Sequence, residues 1–149
     1  MIKNLLWGIP VIAICLALQI LLIVWATRYY TRRRPTGDLA TMRHLFFVMS
    51  GVTVILVCGI MLQVSIWALL FIILGEFSSF ETAVYHSAVN FATLGYGDLV
   101  MSDTNKLLGP LQAINGVLMI GLATAALTAT IQDAFKDLLG RQLFPSDKS

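Results

Sequence analysis

Charged side chains are scarce in this sequence: only 12% of its 149 residues are charged, whereas 58% are hydrophobic. A soluble domain has about a quarter of its residues charged, so the composition excludes an ordinary soluble fold and indicates a membrane protein. The sequence also shows no nucleophile constellation, phosphate-binding loop or metal-ligand cluster, which makes an enzyme the weakest functional class. Its two cysteines, Cys15 and Cys58, lie within apolar runs and form neither a disulfide framework nor a metal-ligand pattern.

Three long apolar runs are what the sequence has instead, at residues 5–27, 45–74 and 107–131. A helix needs about 20 apolar residues to cross a bilayer, so each run predicts a transmembrane helix in an all-α, multi-pass membrane protein. In the first run, Trp7 and Trp25 are 18 residues apart. A helix rises roughly 1.5 Å per residue, so the two indoles lie about 27 Å apart. That distance fits two opposite membrane interfaces, where tryptophan is enriched.

The charges between the runs predict an orientation. Basic residues are concentrated between the first and second runs, at Arg28, Arg32, Arg33, Arg34 and Arg43. The connection between the second and third runs is acidic instead, with Glu76, Glu81, Asp98, Asp103 and a single lysine, Lys106. By the positive-inside rule, the basic linker lies in the cytoplasm. We therefore expect a protein of the cell (inner) membrane with its amino terminus outside and its carboxyl terminus in the cytoplasm.

The consecutive run Arg32, Arg33 and Arg34 does not have the spacing of a voltage sensor, which repeats arginine at every third position of a membrane helix. It predicts a topology signal or a patch that binds anionic membrane lipid. The net charge of +2 gives no indication of a nucleic-acid partner.

A short segment between the second and third runs is predicted to enter the membrane without crossing it. Residues 79–92 are mostly apolar or small, but they are too few to span. Ser78 and Glu81 have the form of a capping box, which favours a helix start there. The backbone that follows, at residues 93–98, has no regular partner. Such backbone is tolerated at membrane depth only where it is buried in protein or lines a wet cavity.

The residues at 93–98 have the chemistry that a dehydrated monovalent cation needs. Such an ion requires several close, uncharged oxygens in place of its water shell, and backbone carbonyls provide them. Gly95 and Gly97 allow positive φ, so that successive carbonyls can point the same way. Thr93 adds a hydroxyl at the inner end, and the carboxyl end of the preceding helix contributes partial negative charge. The segment therefore predicts an ion pore.

The sequence Thr93, Leu94, Gly95, Tyr96, Gly97, Asp98 resembles the signature of the potassium channel family, Thr-Val-Gly-Tyr-Gly-Asp, with leucine in place of valine. The resemblance is to small pore modules in which two helices flank a pore loop, and it covers about residues 45–132. Gly116 stands where the family has a hinge glycine, and residues 121–127 resemble a stretch of its inner helix. The implied pore domain is 38–132, with outer helix 45–75, pore helix 79–92, filter 93–98 and inner helix 104–132. Outside the resemblance lie an additional transmembrane helix with its basic linker, 1–37, and a short cytoplasmic tail, 133–149.

The resemblance implies a homotetramer with its selectivity filter on the fourfold axis. Potassium ions are then held in the filter, with no organic cofactor, by the Thr93 hydroxyl and by the carbonyls of Thr93, Leu94, Gly95 and Tyr96. The residues implied to support the filter are Gly97, Asp98, Tyr85 and Val89. The residues implied for the hinge and the inner pore are Gly116, Ile120, Thr124 and Thr128. A passive potassium-selective channel is the function that this reading predicts.

Two alternatives stay open at this point. Residues behind the predicted filter differ from those common in the family, at Tyr85, His86, Val89, Asn90 and Ala92, and this allows a weakly selective cation channel. The second alternative is a non-conducting membrane subunit that keeps the pore-loop architecture for assembly with another protein.

Some side chains near the predicted pore have two interpretations. Asp133 and Asp137 near the inner mouth either concentrate cations or are solvated charges at a helix end. For His86 we expect a packing role with one hydrogen bond rather than a proton sensor. The inner helix is expected to begin after an N-cap at Ser102 or Asp103 and to bend at Pro110.

Overall fold

A computed structural model describes residues 2–33 and 42–143, and side chains up to Lys136. Within these residues the chain is helical and contains no strand. The helices are α1 (Ile2–Arg33), α2 (Met42–Ile73), α3 (Phe80–Phe91) and α4 (Leu108–Leu143). In length and composition, α1, α2 and residues 108–136 of α4 are suited to cross a membrane. The prediction of an all-α fold with three helices able to cross a membrane is therefore confirmed for the described residues.

Helix α1 packs against both α2 and α4. Its buried residues recur at intervals of four and seven, which places them on one face of the helix. They are Asn4, Gly8, Cys15, Gln19, Ala26 and Tyr30. Gly8 allows a close approach to α4, because a Cβ there would lie 2.9 Å from a methyl carbon of Leu111. The remaining face of α1 exposes large apolar side chains, as a helix surrounded by lipid does.

The core lies where all four helices meet. Its buried residues include Cys15 of α1, Trp67 and Phe71 of α2, Phe91 of α3 and Met119 of α4. The rings of Trp67 and Phe71 are 6.0 Å apart, in the range of favourable aromatic pairs. Since Phe91 is 1% exposed, this core fixes the carboxyl end of α3.

Buried polar side chains join the same helices at membrane depth. The Gln63 amide of α2 donates to Gln19 Oε1 of α1 at 2.7 Å. Ser87 of α3 donates to the carbonyl of Val64 at 2.7 Å, and it accepts from Gln112 Nε2 of α4 at 2.6 Å. Hydrogen bonds are directional, so these contacts set the register of the four helices more narrowly than apolar packing does.

The start of α3 differs from the predicted capping box. Ser79, not Ser78, is the N-cap, with an extended backbone (φ −123°, ψ 144°) and a hydroxyl that accepts from Thr82 N at 3.1 Å. Phe80 is already helical, and a cap must be the last non-helical residue, three positions before its donor. Glu81 lies in the first turn, where its charge is favourable to the helix dipole.

The start of α4 was also predicted wrongly. Asn105 N donates to Ser102 O and Leu108 N to Asn105 O, so a series of turns precedes the helix. The Ser102 hydroxyl donates to Glu76 rather than capping α4. Pro110 is consequently the third residue of α4. At that position its missing N–H breaks no hydrogen bond within the helix, so the expected bend has no cause.

Candidate functional site

The 93–98 segment is joined to α3 by hydrogen bonds to the last carbonyls of that helix. Thr93 N donates to Asn90 O and Leu94 N donates to Val89 O, both at 2.9 Å. Residues 94–97 have no regular secondary structure. The backbone therefore changes direction at the carboxyl end of α3, where the dipole of that helix is negative. Val89, predicted as a support of the segment, provides the carbonyl that accepts from Leu94 N.

Positive φ recurs at every second residue of this segment: 59° at Thr93, 59° at Gly95 and 75° at Gly97. A backbone that alternates between positive and negative φ can turn successive carbonyls to one side, as the glycines predicted. Among the described residues, Thr93 is the only non-glycine with positive φ. A β-branched residue in this region is a genuine outlier. Such strain persists only where surrounding structure holds it, and it is concentrated at functional sites.

The segment is exposed in the single chain. The exposed fractions are 55% for Leu94 and 65% for Tyr96, and residues 92–98 are all exposed. A Cβ added at Gly95 or Gly97 would meet no atom within 4 Å. The contacts that hold this strained backbone within the chain therefore come from its two ends.

Two side chains of α3 hold the carboxyl end of the segment. Tyr85 donates its hydroxyl to Asp98 Oδ2 at 2.8 Å. This bond raises the pKa of the Tyr85 phenol, because the phenol donates to a carboxylate. His86 Nδ1 lies 3.1 Å from the carbonyl of Leu99, and Asn90 Nδ2 lies 2.8 Å from His86 Nε2. Since the amide donates to Nε2, the proton of a neutral ring is on Nδ1 and is donated to Leu99.

His86 is packed more closely than predicted. Its ring lies 4.9 Å from that of Phe77 and 5.6 Å from that of Phe71, measured between centroids. Burial lowers the pKa of His86, against the opposing effects of the Leu99 carbonyl and nearby carboxylates. It has two side-chain hydrogen bonds where one was expected. His86 is therefore a neutral imidazole that joins α3 to the backbone beyond Asp98.

Comparison with known families matches residues 59–133 to a family described as ion channel. The match includes the second half of α2, all of α3, the 93–98 segment and most of α4, which together are half of the chain. The protein belongs to this ion channel family. No curated protein and no solved structure matched the chain significantly. Helix α1 lies outside the matched residues.

In this channel a carboxylate clamp, formed by Glu76, Ser102 and Asn105, joins the end of α2 to the turns that precede α4. Glu76 accepts hydrogen bonds from Ser102 N, Ser102 Oγ and Asn105 Nδ2, each 2.7 Å long. Burial alone would raise the pKa of the Glu76 carboxyl, but these bonds outweigh it and lower the pKa. Asn4 of α1 donates to the carbonyl of Thr104 at 3.0 Å. Sequence reasoning missed this clamp, because its partners are 26 or more residues apart.

The residues predicted for the hinge and inner pore of the channel lie along α4. Gly116 is buried against Phe91, so closely that a Cβ would collide with the Phe91 carbonyl oxygen. Ile120, Thr124 and Thr128 are exposed and recur every four residues, so they share one side of the helix. The structure thus brings Gly116 to the carboxyl end of α3 and leaves the other three residues uncovered within the chain.

Asp133, predicted either as part of a cation-concentrating ring or as a solvated charge, has a specific partner in the channel. It accepts a hydrogen bond from the Tyr30 hydroxyl at 3.1 Å, and Tyr30 is 5% exposed. The end of α1 is thereby joined to the end of the region that matches the ion channel family. The side chain of Asp137, predicted beside it, lies outside the described residues, as does Arg34.

Proposed function

We propose that this ion channel conducts potassium passively, through a selectivity filter formed by residues 93–98 of four identical chains. The alternating positive φ at Thr93, Gly95 and Gly97 carries this proposal. Three positive φ angles at alternate positions, one of them at a β-branched residue, have no role in packing within the chain, since the segment is exposed. They do have a role if the carbonyls of 93–96 replace the hydration shell of an ion.

Four chains are required because one chain supplies only one column of carbonyls. The Born cost of desolvating an ion in a low-dielectric medium is on the order of tens of kcal/mol. The ion therefore needs oxygen ligands on all sides. A closed ring of identical subunits meets this need around a symmetry axis. Exposure of Leu94 and Tyr96 in the single chain supports such an assembly, because apolar side chains of this size are covered when copies of the segment meet.

The ion pathway continues along α4 in this proposal. Ile120, Thr124 and Thr128 line the inner pore, and the Thr93 hydroxyl provides the innermost ligands of the filter. The carboxyl end of α3 directs its negative dipole towards the cavity below the filter. Gly116, in contact with Phe91, joins movement of α4 to the helix that precedes the filter. The Arg-rich linker lies in the cytoplasm and residues 98–103 face the outside of the cell membrane.

Reversal potentials test the selectivity. The purified full-length protein is reconstituted in planar bilayers with potassium chloride on one side and sodium chloride on the other. We expect a reversal potential close to the potassium equilibrium potential. Equal permeability to the two ions would favour a weakly selective cation channel. Leu94 and the apolar Val89 behind the segment are the residues that support this alternative. Absence of current together with intact folding would favour a non-conducting subunit.

A further inference from the structure

The basic end of α1 forms a groove that is separate from the proposed ion pathway. It has a volume of about 460 Å³ and is lined by Trp25, Arg28, Tyr29, Arg32 and Arg33. It lies outside the residues that match the channel family. Its charge and shape therefore indicate its role.

Arg28 and Arg32 are exposed cations one helical turn apart. Among the described residues, neither guanidinium forms an ion pair with a carboxylate. Arg33 lies over the ring of Tyr29, 5.8 Å from its centroid. Like charges at this spacing repel each other, and an anion between them removes the repulsion. Guanidinium groups bind phosphate oxygens through paired hydrogen bonds, so phosphate is the anion that this pair fits best.

The same side of α1 continues as an apolar surface towards the middle of the membrane. Leu21, Val24 and Trp25 are 67%, 44% and 61% exposed. With Arg28 and Arg32 they follow the i, i+3, i+4, i+7, i+11 spacing of one helical side. A soluble phosphate would use only the two arginines. A phospholipid would use both parts, with its headgroup at the arginines and an acyl chain along Leu21 and Val24.

We propose that this groove binds the headgroup of an anionic phospholipid. The bound lipid would be held next to two contacts that fasten the same end of α1. Tyr30 donates to Asp133 of α4, as described above, and a ring nitrogen of His44 at the start of α2 lies 3.0 Å from the Arg33 carbonyl. Lipid binding consequently stabilises the inner ends of α1, α2 and α4 together. The proposal does not depend on which ion the channel conducts.

Quenching of tryptophan fluorescence by brominated lipid measures occupancy of the groove. The full-length channel is placed in phosphatidylcholine vesicles that contain brominated phosphatidylglycerol, and a Trp25→Phe variant subtracts the signals of Trp7 and Trp67. A basic residue near an anionic surface contributes about 1 kcal/mol, or about fivefold in binding. We therefore expect Trp25 to be quenched by brominated phosphatidylglycerol at a mole fraction several times lower than by brominated phosphatidylcholine.

Two variants and one competitor decide between explanations. The double variant R28Q/R32Q should remove the preference for the anionic lipid, whereas Arg43→Gln, which removes an arginine outside the groove, should retain it. Equal losses in both variants would mean general surface charge and would overturn the proposal. Inorganic phosphate replaces chloride at constant ionic strength in a parallel titration. Full release of the lipid by millimolar phosphate would show a site for the free anion and would equally contradict the lipid assignment.

Discussion

Two glycines with nearly the same backbone conformation separate local strain from an effect on conduction. Gly75 has φ 74° and Gly97 has φ 75°, and a Cβ at either position would meet no neighbour within 4 Å of its own chain. Alanine in this conformation costs about 1–2 kcal/mol. In sodium without potassium, Gly75→Ala and Gly97→Ala should therefore lower the melting temperature by similar amounts.

Only Gly97→Ala should reduce conduction, because Gly97 follows directly on the four carbonyls proposed to bind the ion, whereas Gly75 lies in a turn after α2. A loss of about 1.4 kcal/mol in ion binding corresponds to a tenfold change, so we expect at least that decrease in potassium flux from liposomes. Similar flux in the two variants would contradict the assignment of 93–98 as the filter.

Thr93 shows what could and could not be predicted at the scale of single residues. Gly95 and Gly97 were predicted to have positive φ, because glycine adopts it without steric penalty. Threonine is among the residues least suited to that region, so no local preference predicts φ 59° at Thr93. The conformation depends on how the chain leaves α3, through bonds to Asn90 and Val89, and such a dependence is visible only in three dimensions.

At the scale of elements, the crossing of α3 and α4 depends on Gly116. A methyl group there would collide with the Phe91 carbonyl, which belongs to the backbone and cannot move aside as a side chain can. Gly116→Ala should destabilise the fold by about 1–3 kcal/mol, the usual effect of overpacking.

Gly109→Ala is the matched control in the same helix, because its Cβ would lie 3.4 Å from the flexible end of Met101, an ordinary contact. Thermal unfolding in detergent, followed by circular dichroism, measures both variants. If Gly116 acts only as a flexible hinge, Gly116→Ala will unfold like Gly109→Ala and will differ from it only in channel opening. That result would contradict the packing role.

The carboxylate clamp at Glu76 should make the stability of the fold depend on pH. The pKa of Glu76 in the folded state is below its ordinary value. The contribution of Glu76 to the free energy of unfolding is therefore complete at a pH above the ordinary pKa, and it is lost as the pH falls through the lowered pKa of the folded state. The wild type should therefore lose stability as the pH falls below the ordinary glutamate pKa of about 4.3.

Glu76→Gln should be less stable than the wild type at neutral pH and should show a weaker pH dependence in the same acidic range. Glu81→Gln removes an exposed carboxylate on α3 and is the control; it should lose much less stability than Glu76→Gln, because only the helix dipole is affected. The measurement is the melting temperature from neutral to acidic pH. A Glu76→Gln curve parallel to that of the wild type would show that other groups cause the acid effect.

The boundaries of elements were predicted less well than their existence. Length and apolar composition were enough to place α1, α2 and α4. The short length of the apolar segment and the glycines that follow it were enough to place α3, which was predicted at 79–92 and is found at Phe80–Phe91. The first residue of α4 was missed because Ser102, a good cap by composition, donates to Glu76 instead. Partners such as Asn4 and Thr104, 100 residues apart, cannot be recognised from spacing in one sequence.

At the scale of the whole molecule, the proposed assembly links ion binding to stability. An ion that binds only the folded tetramer stabilises it by an amount that increases with ion concentration, about 2.7 kcal/mol at one hundred times the dissociation constant. Potassium should therefore raise the temperature at which purified tetramers dissociate, and sodium at the same ionic strength should raise it much less. Cross-linking or native mass spectrometry after heating counts the chains that stay together.

Gly97→Ala supplies the control for this prediction, since it disturbs the filter and leaves the helices intact. Its tetramers should dissociate at the same temperature in potassium and in sodium, because the site that distinguishes the two ions is lost. If potassium stabilises Gly97→Ala as strongly as the wild type, the ion acts elsewhere on the protein. Dimers or trimers as the largest species in mild detergent would contradict the fourfold ring itself, because a ring of fewer carbonyl columns leaves sides of the ion without oxygen ligands.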